Sequence, residues 1–177
     1  HDGAIGSADV TINGGSFEVY HDRTFANTFT LDGGKLRQTS NNRTATFSGS
    51  VTVSSESIID PNNHGANWRA VKLSGDLDGS GRLKIDNGFT IFSGDSSAYT
   101  GRVYLQNANS TVRLDGTDQS FGSLGGSQSA AIVENNNAAA CTLTIGEDTT
   151  SPSYPGILQD GSTGALNLVK TGTGAQT

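Results

Sequence analysis

Along the whole chain, short runs alternate apolar and polar side chains, and each run meets a turn signal before it can lengthen. Val10-Thr11-Ile12, Phe29-Thr30-Leu31, Val51-Thr52-Val53, Val71-Lys72-Leu73, Leu83-Lys84-Ile85, Val103-Tyr104-Leu105 and Leu143-Thr144-Ile145 all follow this pattern. A period of two puts successive side chains on opposite faces of a strand. Between the runs lie Asn13-Gly14-Gly15, Asp32-Gly33-Gly34, Asp86-Asn87-Gly88 and Asp115-Gly116, residues that tolerate the positive φ of tight turns. No segment sustains a 3.6-residue period. The stretch from Ser127 to Ala140 comes nearest, but it lacks an apolar face and is broken by Asn135-Asn136-Asn137. The chain is therefore expected to be all-β.

Hydrophobic residues make up 33% of the 177 positions, well below the ~45–50% of ordinary globular domains. Each strand offers only two or three apolar side chains, too few for a thick sandwich core. A parallel β-helix needs less, because coils stacked at ~4.8 Å bury a narrow apolar column along the axis. The column expected here is Val51, Val53, Val71, Leu73, Leu83, Ile85, Ile91, Val103, Leu105, Leu143, Ile145, Leu166 and Leu168. At ~20–25 residues per coil, residues 1–177 form one domain of about seven or eight coils and a rod about 35–40 Å long. Irregular turn spacing keeps a β-sandwich as the alternative.

Two stretches align with each other: Gly79 to Leu105, containing Gly79-Ser80-Gly81-Arg82-Leu83-Lys84-Ile85 and Tyr99-Thr100-Gly101, and Gly161 to Gly174, containing Leu166-Asn167-Leu168-Val169-Lys170-Thr171-Gly172-Thr173-Gly174. In these motifs the chain resembles the autotransporter-associated β-strand repeat of large bacterial surface proteins. Phe121-Gly122-Ser123-Leu124-Gly125-Gly126 and Val10-Thr11-Ile12-Asn13-Gly14-Gly15 resemble the linker coils between such units. Asp86-Asn87-Gly88 departs from the repeat, which carries Thr-Gly-x-Gly there. The resemblance implies a right-handed parallel β-helix at the bacterial cell surface or secreted, with no catalytic residues. The second unit stops at Ala175-Gln176-Thr177, before its next strand, which points to these residues as an end-to-end assembly edge.

The function expected is a non-enzymatic extracellular structural protein: a stalk, passenger segment or filament subunit. The first alternative is a glycan-binding adhesin, with Trp68, Tyr99 and Tyr104 as sugar-stacking rings unless they plug the column or its turns. The second is a polysaccharide-active β-helix enzyme, with Asp76, Asp78, Asp86 and Arg82, or Asp115 and Asp118 with Arg113, as its charged cluster.

Basic residues number 11 and are scattered, and the net charge is −6, so nucleic acid is not an expected partner. No apolar run approaches the length of a membrane span, so membrane insertion of this segment is not expected. A first residue of His1 and the absence of Met suggest a piece processed from a longer polypeptide. Asp76-Leu77-Asp78-Gly79-Ser80-Gly81 has the oxygen spacing of a calcium loop, with Asp86 as a third ligand, but Asn87 stands where that loop requires a bidentate Glu. No other cofactor is suggested, apart from copper on His1 with His21 or His64. Asn42-Arg43-Thr44 and Asn109-Ser110-Thr111 fit the N-glycosylation pattern. Cys141, alone and in an alternating run, is expected to face the core.

Overall fold

A computed structural model describes residues 5–63 and 67–177. His1 and His64 of the copper reading lie outside the described residues. Coil one is β1 (Val10–Ile12), β2 (Ser16–Val19) and β3 (Arg23–Phe25); coil two is β4 (Phe29–Leu31), β5 (Lys35–Gln38) and β6 (Arg43–Phe47). Coil three is β7 (Val51–Val53), β8 (Ser57–Asp60) and β9 (Arg69–Leu73); coil four is β10 (Leu77–Gly79), β11 (Leu83–Ile85) and β12 (Gly88–Phe92). Coil five is β13 (Ala98–Tyr99), β14 (Arg102–Leu105) and β15 (Ser110–Arg113); coil six is β16 (Gln119–Phe121), β17 (Ser123–Gly126) and β18 (Ile132–Asn135). Coil seven has β19 (Cys141–Ile145) and β20 (Ile157–Asp160), and β21 (Leu166–Lys170) starts a further pass along the first face. Every strand pairing is parallel, as a β-sandwich's would not be, and the fold is a parallel β-helix of about seven turns.

The first face runs β1-β4-β7-β10-β13 and continues through β16-β19-β21; the second runs β2-β5-β8-β11-β14-β17; the third runs β3-β6-β9-β12-β15-β18-β20. Val10 lies opposite Phe29, Phe29 opposite Val51 and Val51 opposite Leu77, so a turn takes about 19 to 26 residues. Coil three is the longest of these, and its extra residues lie between β8 and β9.

The column is filled as its pattern requires. Leu36, Ile59, Leu83, Ile85, Val103 and Leu105 are sealed on the second face, and Val51, Val53, Leu143 and Ile145 on the first. Cys141 points inward as well. Phe29 and Phe47 meet edge-to-face at 4.9 Å, and Phe17 and Phe25 at 5.3 Å, which packs the end near coil one with aromatic rings. Ile91 departs from the expected column. Pairing of Thr90 with Val71 and Phe92 with Leu73 turns Thr90 and Phe92 inward and Ile91 outward. The run Phe89-Thr90-Ile91-Phe92 is apolar in both phases, so alternation alone does not fix its face. Leu168 shares the register of Leu143 and points inward, but it is 47% exposed because no strand of the described residues lies on the far side of β21.

At the corners the strand ladders break, and buried amides take over their carbonyls. Gln38 Nε2 donates to the His21 carbonyl at 2.9 Å, Gln119 Nε2 to Gly94 at 2.9 Å, and Asn135 Nδ2 to Ala139 at 2.7 Å. Two corners share a second device. The Tyr99 hydroxyl donates to the carbonyl of Gly81 at 2.8 Å and lies 3.2 Å from that of Arg102; the Tyr154 hydroxyl repeats this with Ala131 at 2.9 Å and Ile157 at 3.4 Å. The residue two beyond each tyrosine is glycine for want of room: a Cβ on Gly101 would lie 2.2 Å from the Gly81 carbonyl oxygen, and one on Gly156 would lie 2.4 Å from that of Ala131.

The two stretches that align in sequence occupy different faces. Leu83-Lys84-Ile85 forms β11 on the second face, whereas Leu166-Asn167-Leu168 falls in β21 on the first.

Candidate functional site

The three aspartates of the calcium reading are not gathered together. Asp76 and Asp78 flank and enter β10 on the first face, while Asp86 follows β11 at the next corner. Asp78 Oδ1 accepts from the Gly79 amide at 2.5 Å, and Asp86 Oδ1 accepts from the Asn87 amide at 2.9 Å and from the Asn107 side chain. These are turn-forming roles. Among the described residues, no group of three or more His, Cys, Asp or Glu side chains is placed to share an ion.

The charged cluster around Arg113 is also divided. Arg113 Nε binds Glu134 Oε1 at 2.8 Å, Asp115 pairs with Lys72 at 2.7 Å, and Asp118 accepts from the Thr142 amide at 2.7 Å. Arg82 shares Glu56 with Lys84 on the second face. Hydrogen bonds from Lys84 and Arg82 hold the Glu56 carboxyl below its ordinary range. Asp60 lies between Lys35 at 3.3 Å and Arg37 at 3.2 Å. These cross-coil pairs neutralise most of the second face.

Of the three rings offered for sugar stacking, Tyr99 takes the other role expected of it: it is fully buried and plugs the corner described above. Burial pushes its phenol well above the ordinary tyrosine value. Tyr104 lies outward on β14 with the Arg82 guanidinium 5.5 Å from its ring centre. Trp68 is 44% exposed at the start of the third face.

Trp68 belongs to a site that the sequence reading assembled only in part. On the third face, register aligns the outward-phase positions Thr44, Ala70, Phe89, Thr111, Ile132 and Ile157 into one uncharged row, in which Ala70 and Thr111 are covered by their neighbours. The adjacent outward row carries Thr46, Lys72, Ile91, Arg113, Glu134 and Gln159. Thr44, Trp68, Phe89, Ile91 and Arg113 line an open groove of about 470 Å³ between the two rows.

The Arg113 guanidinium sits 3.7 Å from the Phe89 ring centre, a cation–π stack, and Gln159 Nε2 donates to Glu134 Oε2 at 2.9 Å. The tryptophan backbone is fixed from below, since its carbonyl accepts from the Asn42 amide at 2.7 Å. Buried Arg69, the next residue, donates to Asn41 Oδ1 at 3.0 Å and to the Asn62 carbonyl. The sequence signal for this groove was the doubly apolar run at Phe89, which a surface-facing phase turns into a platform.

Ala175, Gln176 and Thr177 lie against the segment that covers the second face of coil seven. The Ala175 amide donates to Ser151 Oγ at 3.0 Å, and the Thr177 carbonyl accepts from the Tyr154 amide at 2.7 Å. Coil seven and β21 expose Ile157, Leu158, Leu168 and Val169, each at 40–47%. Leu158, Gln159, Asp160, Leu166 and Leu168 line a hollow of about 190 Å³ there. At the opposite end, Asn27 Nδ2 holds the carbonyls of Gly6 at 3.0 Å and Ala8 at 2.7 Å, so the turn before β1 lies beside coil one.

Compared with models of protein families, with curated proteins and with solved structures, the chain matches none.

Proposed function

We propose that this chain is a non-enzymatic structural segment, a stiff β-helical rod of an extracellular or cell-surface polypeptide. The observation that carries the reading is the continuity of the ladders: two of the three faces pass without a break through six or more coils. Such a column satisfies its backbone internally while its Ser, Thr and Asn surface stays hydrated, so a long rigid body forms from little apolar material. The charged side chains support the same reading, because the clusters weighed for catalysis are spent on turns and cross-coil pairs. The surface-protein setting rests on the resemblance of Tyr99-Thr100-Gly101 and Leu166 to Gly174 to the autotransporter-associated repeat.

The exposed apolar edge of coil seven supports stacking of a further parallel coil upon it, from the same polypeptide or from a second copy. Seven coils at ~4.8 Å give a rod about 34 Å long. Negative-stain electron microscopy of the purified chain tests this. Rods of that length, or filaments built from them, are the expected result; round particles, or turnover of polysaccharides by the purified chain, would overturn the structural reading.

A further inference from the structure

We infer that the third face carries a binding site for neutral glycan chains, centred on Trp68 and Phe89. This goes beyond the rod reading and does not depend on whether rods assemble.

What can dock here is limited by what the face offers. Its backbone N–H and C=O groups are consumed by the ladder from β3 to β20, so a peptide cannot add itself as a strand on this surface. Only side chains remain. They form two parallel tracks, set two residues apart along each strand, or about 7 Å. One track is the uncharged row of Thr44 and Phe89 over buried Ala70, with Trp68 at its border. The other presents the amine, guanidinium and amide ends of Lys72, Arg113 and Gln159, with the Glu134 carboxylate buried beneath them.

Charge decides between occupants. Lys72 is matched by Asp115 and Arg113 by Glu134, so the groove holds fixed hydrogen-bonding groups but no surplus charge. A strongly charged polymer gains little from such a surface, and an acidic one is repelled by the net charge of −6.

A pyranose ring has the complementary make-up: an apolar C–H face to lie on the exposed Trp68 indole, beside the Phe89 ring that carries Arg113 on one face, and a rim of uncharged hydroxyls to meet the polar track. The site is also preorganised. Arg113 is clamped between Phe89 and Glu134, Glu134 is held by Gln159, and the Trp68 backbone is fixed by Asn42 and by the anchoring of Arg69.

Trp68 is the sole tryptophan, so its fluorescence reports on the groove without labels. The full chain is titrated with cellohexaose, xylohexaose, mannohexaose and chitohexaose, and with an oligogalacturonate as the acidic probe. The expected result is a saturable change in emission with at least one neutral hexasaccharide, little affected by salt. By calorimetry, Trp68→Ala and Phe89→Ala should each weaken that binding about tenfold or more, while Tyr20→Ala, exposed outside the third face, should leave it unchanged. Thermal unfolding of Trp68→Ala should match the parent, since the ring is half exposed. Silence with all four neutral probes overturns the proposal, as does binding that survives both substitutions or binding of the acidic probe alone. Concentration-dependent change in Trp68 emission without sugar, accompanied by dimer formation in sedimentation, would assign the face to a second copy instead.

Discussion

Tyr99 and Tyr154 show how one side chain can close a corner of this fold. Each ring fills the bend between two faces, and each hydroxyl donates to one corner carbonyl, Gly81 for Tyr99 and Ala131 for Tyr154. Tyr99→Phe keeps the ring but takes the hydroxyl donor from the Gly81 carbonyl, at an expected cost of about 1–3 kcal/mol in denaturant unfolding. Gly101→Ala should cost more, because the neighbour it meets is backbone. Burial raises both phenols, so the folded chain favours their neutral form. That contribution is complete below the ordinary tyrosine value near 10 and is lost as pH rises through the higher folded value. Near-ultraviolet phenolate absorbance should therefore show Tyr99 and Tyr154 resisting ionisation past pH 10 until the chain unfolds. Four tyrosines ionising together near pH 10 in a folded chain would contradict the corner geometry.

At the scale of the strand, alternation named most inward positions correctly, because a strand with one apolar phase has only one way to face the column. It failed at β12, where Phe89 and Ile91 compete with Thr90 and Phe92, and only pairing with β9 resolves the phase. The candidate groove was hidden for the same reason: its platform exists only once neighbouring coils set the register of Trp68, Ala70 and Phe89. That Tyr99 plugs a turn was among the expectations, but its acceptor was illegible, since the Gly81 carbonyl lies on another coil. Ile85→Asp and Ile91→Asp test the phases directly. The first buries a charge in the column and should cost about 3–5 kcal/mol, whereas the second faces the surface and should cost about 1 kcal/mol or less. Equal losses in urea unfolding would refute the assigned register.

Hydrogen bonds to carboxylates, local and cross-coil, also set the response to acid. The Thr44 amide and the Arg43 side chain lower Asp22; Lys84 and Arg82 lower Glu56; the Ser97 amide and hydroxyl lower Asp95. At Asp148 burial opposes the charge, but Ser123 and Thr150 outweigh it and the carboxyl is lowered as well. Lowered folded values stabilise the chain fully above the ordinary carboxylate range, and the contribution fades as pH falls through the folded values. The melting temperature should be level from neutrality to about pH 5 and decline below about pH 4. A maximum at pH 3 would be incompatible with these contacts.

Taken whole, the molecule is a stack in which strands pair only with the coils before and after them. The sequence made the class of fold legible because glycine turns and thin apolar runs leave few other solutions. It did not show how the faces would be filled, since coil lengths vary and the two aligned stretches land on different sides. The exposed edge at coil seven has a consequence for motion. Where order passes only from neighbour to neighbour, fraying begins at the least covered coil and advances inward one layer at a time. Amide hydrogen exchange should accordingly be fastest in β20 and β21 and slow progressively toward the middle coils, so that the rod carries a graded clock of opening along its own axis.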